Sequence, residues 1–71
     1  MNEFEKDILN QVEQRLQSID TNNERRGLNH LMHRYYHSYI FYRNINASEK
    51  QQIYFKLLTD IILTLNWEDK Q

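Results

Sequence analysis

The stretch Ile53-Tyr54-Phe55-Lys56-Leu57-Leu58-Thr59-Asp60-Ile61-Ile62-Leu63-Thr64-Leu65-Asn66-Trp67 has ten apolar residues among its fifteen. At 100° per residue these cover more than half of a helical wheel, the pattern of a helix buried on several sides. Leu63 and Trp67 fall beside Lys56 and Asp60, on the polar side. Upstream, Asn46 with Glu49, or Ser48 with Gln51, has capping-box spacing. The expectation is a helix over 47–66 and a polar tail over 67–71.

Working back, Asn44-Ile45-Asn46-Ala47-Ser48 and Asp20-Thr21-Asn22-Asn23 are the polar clusters that punctuate a chain with no proline and one glycine. Between them, Leu28, Met32, Tyr35, Tyr39 and Tyr42 recur at steps of four, three, four and three, a coiled-coil type of seam, with Leu31 on the same side. Thr21 with Glu24 offers a capping box, and a helix over 24–44 is expected. Gly27 sits awkwardly near its start, since glycine costs ~1 kcal/mol against alanine in a helix interior. Two readings stay open: Gly27 ends the loop, or it lets another backbone approach closely.

The first segment has Asn2 and Glu5 in capping-box spacing, and Glu3, Glu5 and Asp7 where the helix dipole favours negative charge. Phe4, Ile8, Val12, Leu16 and Ile19 then follow with helical period, joined by Leu9, so a helix over 3–20 is expected. Three helices of similar length with short connections read as one all-α domain over 1–71. The arrangement is a three-helix up-down antiparallel bundle, or a helical hairpin whose remaining helix exchanges with a second subunit. A chain of 71 residues buries only ~60% of its unfolded surface. The apolar surplus of the third helix and this small core together point to a homodimer.

Charge narrows the function. The net charge is −1, which gives no general attraction to nucleic acid or anionic membrane. Residues 1–20 carry five acids against Lys6 and Arg15, whereas 21–45 carry Arg25, Arg26, Arg34 and Arg43 against Glu24. The first two helices are thus complementary in charge. No basic-then-apolar leader is seen at the start and no apolar run reaches the ~18 residues of a membrane span, so a cytoplasmic protein is expected. The high asparagine and glutamine content fits an AT-rich bacterial or phage genome. Asn46-Ala47-Ser48 matches a glycosylation sequon but reads as capping chemistry.

Catalysis has little to draw on. There is no cysteine and no glycine-rich phosphate loop. Ser38 adjoins His37, yet neighbouring helical residues point about 100° apart and cannot make a nucleophile–base pair. A non-catalytic protein with no small-molecule substrate and no required cofactor is the expectation.

His30, His33 and His37 are spaced to share one helical face, opposite the Leu28/Tyr35/Tyr42 seam. Imidazoles one turn apart can share zinc or nickel, which makes a metal- or pH-responsive module the alternative. Arg34 and Arg43 alternate with aromatics and permit a weak nucleic-acid binder as a second alternative. Off the seams lie Tyr36 and Phe41 on the second helix and Leu63 and Trp67 on the third. With Arg34, these are the candidate contacts to a partner, because tyrosine, tryptophan and arginine concentrate at binding hot spots. The leading expectation is a homodimeric helical regulator or inhibitor that masks a surface of an unidentified partner protein.

Overall fold

The computed structural model describes residues 1–19 and 27–71. Three helices follow in order: α1 Glu3–Ser18, α2 Gly27–Asn44 and α3 Ser48–Asp69. They pack together into a small all-α three-helix bundle, measuring 35 × 27 × 17 Å. The capping box expected over Thr21 and Glu24, and the helical turn over 24–26, lie outside the described residues.

Each helix end has a local cause. The Asn2 Oδ1 accepts the Glu5 backbone N–H at 2.8 Å, starting α1 where Glu3 and Glu5 meet the positive end of the dipole. Gly27 has φ +83, and among the described residues a Cβ placed there would touch nothing within 4 Å. Gly27 opens α2 with a left-handed φ, which favours glycine, and the close approach of another backbone has no counterpart among the described residues.

The turn between α2 and α3 corrects the capping expectation. Neither Asn46 nor Ser48 caps α3; the position belongs to Ala47, which makes no side-chain cap bond. Asn46 instead takes φ +60. Its N–H reaches the Arg43 carbonyl at 3.1 Å, while the Ala47 N–H reaches that of Tyr42 at 2.9 Å. These two bonds form a Schellman motif, which closes α2 and reverses the chain. Asparagine is used here for its tolerance of left-handed backbone rather than for its capping oxygen.

The reversal sets α2 and α3 antiparallel, and their interface is the most extensive of the three. Tyr54 of α3 stacks on Tyr42, with centroids 5.6 Å apart and planes 12° from parallel, and meets Tyr35 at 5.9 Å. Tyr39 and Phe55 lie 6.3 Å apart. Then α1 runs alongside α3 in the same direction: Phe4 meets Phe55 near their starts, and Arg15 meets Asp69 near their ends. The result is up-down-up, with α1 packed on its own chain through Ile8, Leu9 and Val12.

These three side chains join Met32, Tyr39, Leu58, Ile61 and Ile62 in the buried core. Within α3, Thr59 and Thr64 donate their hydroxyls to the carbonyls of Phe55 and Asp60, four residues back, so neither threonine leaves an open donor. Two apolar positions depart from their stripes. Phe4 is more than half exposed, with its ring 6.3 Å from that of Phe55 and nearly perpendicular to it, and Ile53 faces outward near the start of α3.

The polar tail expected over 67–71 is also corrected, because α3 continues through Trp67 to Asp69. Arg15 of α1 holds this last turn, bonding Asp69 at 2.7 Å and Asn66 at 3.1 Å, while Asn66 donates to Gln11 at 2.8 Å. A cation beside a helix C-terminus also suits the dipole. No helix is long and apolar enough to cross a membrane, among the described residues.

Candidate interaction surfaces and the histidine pair

Two outward faces hold most of the residues singled out from the sequence. On α3, Ile53, Leu63 and Trp67 are 57%, 55% and 63% exposed. With Lys56 and Asp60, also exposed, they fall within an arc of about 80° at 100° per residue. This is the surplus left when Leu58, Ile61 and Ile62 turn inward.

On α2, Arg34 is exposed and Phe41, seven residues on, faces the same way with its ring against the edge of Tyr42 at 5.2 Å. Ile45, just beyond the helix, is 55% exposed and extends this patch. The sequence pattern hid Ile45, because it lies inside a polar turn.

Tyr36 has a different position from the one its place off the seam implies. It is half-buried, and its hydroxyl donates to Glu13 of α1 at 3.2 Å. Burial raises its pKa above the ordinary tyrosine value, with the Glu13 carboxylate adding to the effect. Tyr36 therefore ties α1 to α2 through a hydrogen bond from a neutral phenol, not through the charge complementarity of those helices. Among the described residues the ion pairs are Lys6 with Glu3, within α1, and Arg15 with Asp69. Arg25 and Arg26 lie outside the described residues.

Of the aromatics that could stack on nucleic-acid bases, Phe41 stays exposed, but the tyrosines of the seam are engaged inside the bundle. Tyr35 and Tyr42 flank Tyr54, and Tyr39 is buried. The Arg43 guanidinium lies 5.6 Å from the Tyr39 ring centre and the Lys50 ammonium 5.1 Å from that of Tyr42, so both cations sit on rings of their own chain.

The three histidines do not act as a set. His33 and His37 meet, with Nε2 atoms 3.1 Å apart and ring centroids 4.5 Å apart. His30 affects His33 through charge alone. Seven residues separate His30 from His37, about 10.5 Å of rise along a helix. Among the described residues no group of three His, Cys, Asp or Glu side chains converges on a common point. The expected three-ligand face is thus reduced to a pair. The pKa of His33 is lowered from the ordinary histidine value, first by burial and then by His37 and His30.

Sequence reasoning missed the polar clasp of Gln11, Arg15, Asn66 and Asp69. A shallow depression of about 350 Å³ beside it is lined by Gln11, Gln14, Arg15, Ser18 and Asn66. Its signal was present as matched spacing, Gln11 with Arg15 and Asn66 with Asp69, one turn apart on each helix. Reading it required knowing that α1 and α3 run parallel. No known protein family, curated protein or solved structure matches this chain.

Proposed function

We propose that this protein is a small non-catalytic interaction module, a homodimeric regulator that masks a surface of a partner protein. The observation that carries the reading is the outward arc of α3, where Ile53, Leu63 and Trp67 are each more than half exposed. Large apolar side chains grouped on one exposed face of a small bundle mark an interface.

The pattern of this arc suits a second copy of the same chain. A two-fold interface must be self-complementary, each residue meeting a partner that meets it in return. Two antiparallel α3 helices centred on Leu58 place Ile53 opposite the partner subunit's Leu63. The same register places Lys56 opposite the partner subunit's Asp60, so apolar meets apolar and cation meets anion on both sides of the axis. Trp67 then faces the partner subunit's Glu49, a carboxylate able to accept the indole N–H.

The dimer leaves the α2 patch of Arg34, Phe41 and Ile45 outward in each subunit. Phe41 and Ile45 supply apolar area for the protein to be masked, and Arg34 supplies orientation. Masking is stoichiometric, so inhibition that persists with this protein far below its target's concentration contradicts it.

Light scattering over a concentration series tests the dimer. The expected mass is twice 8.8 kDa, and Leu63→Glu gives the monomer. Lys56→Glu and Asp60→Lys alone each weaken association about tenfold, or ~1.4 kcal/mol, by setting like charges face to face. Combining them restores it. A wild-type monomer throughout the series overturns the dimer, and single swaps without effect overturn the register.

A further inference from the structure

The histidine pair on α2 has a geometry that neither the bundle nor the interaction faces account for. His33 is half-buried and His37 exposed, and they are one turn apart on a continuous helix. Their Nε2 atoms lie 3.1 Å apart. Two imidazole nitrogens each ~2.0–2.1 Å from a shared ion, and this far from one another, subtend an angle of about 100° at it. That angle falls between the octahedral and tetrahedral values.

We propose that His33 and His37 form a two-nitrogen chelate for a late first-row divalent ion, Zn²⁺ or Ni²⁺, on the outer side of α2. Imidazole nitrogen suits these ions, whereas Mg²⁺ and Ca²⁺ require oxygen ligands. The helix supplies the organisation, since residues four apart are already neighbours and need no change of backbone to converge. In the metal-free pair one ring donates its Nε2 proton to the other. Binding requires both lone pairs, so the donor ring carries its proton on Nδ1 instead and no net proton is released from the neutral pair. Water fills the other positions around the ion. This site shares no residue with the proposed dimer face, so the two readings stand or fall separately.

Calorimetric titration of the chelator-treated full chain with ZnCl₂, then NiCl₂, tests the site. One ion per chain is expected, with no heat from MgCl₂. His33→Gln and His37→Gln each lower affinity about tenfold or more, since loss of a direct ligand exceeds the effect of losing an outer-shell partner. His30→Gln leaves affinity unchanged. In NMR spectra the ring protons of His33 and His37 shift together on adding Zn²⁺ while those of His30 stay in place. Undiminished binding by His37→Gln, an exposed position whose replacement spares the core, overturns the proposal. So does Zn²⁺ that moves His30 ahead of the pair.

Discussion

Tyr39 is the residue at which packing and polarity conflict. It is 1% exposed, with its ring against Phe55 and beneath the Arg43 guanidinium. Yet its hydroxyl has no hydrogen-bond partner among the described residues. A buried donor left open costs roughly 1–3 kcal/mol, while the ring itself contributes apolar contact. Tyr39→Phe is therefore expected to stabilise the fold by about 1 kcal/mol, read from urea unfolding at neutral pH. A loss of stability would show that the hydroxyl has a partner after all. The seam spacing placed Tyr39 inward correctly. It could not reveal the unpaired oxygen, because the surroundings of a side-chain tip depend on three helices at once.

At the scale of elements, the end of α3 depends on α1. The last turn of α3 has no basic residue of its own. Arg15 supplies the cation from α1, bonding Asp69 and Asn66. Arg15→Ala is expected to free that turn, so that backbone amides near 67–69 exchange several-fold faster with solvent. Global stability should fall by only about 0.5–1 kcal/mol, because the Asp69 end of the pair is exposed and screened. Unchanged exchange would mean that the helix holds its end without the clasp. Reading the sequence segment by segment ended the helix early for this reason: the residues that stabilise its last turn are more than fifty positions away.

Among the described residues, the molecule rests on a core of eight buried side chains drawn from all three helices. Typical stability of ~0.05–0.15 kcal/mol per residue amounts to about 4–11 kcal/mol for a chain this long. Truncating a fully buried leucine to alanine costs ~2–5 kcal/mol in transfer and cavity terms. Leu58, 0% exposed at the centre of α3, is the most telling position, since it belongs to the core that all three helices share. Leu58→Ala is expected to lower the melting temperature sharply in circular dichroism, whereas Leu63→Ala, five residues along and exposed, should leave the isolated subunit nearly unchanged. Similar effects at both positions would contradict this division of α3 into an inner and an outer side.

Periodicity in the sequence was enough to define three helices, to turn the Tyr39 seam inward and to leave Leu63 and Trp67 outside. Those properties follow from periodicity, which repeats every few residues and is complete within each segment. Tertiary structure alone decided that Asn46 turns the chain instead of capping α3, that Tyr36 bonds Glu13, that Arg15 carries α3 to Asp69, and that His33 pairs with His37 without His30. Each of these depends on a backbone angle or a side-chain tip within about 3 Å of a partner, often on another helix. Helical spacing defines a face but not the side-chain conformers that decide which groups on it meet.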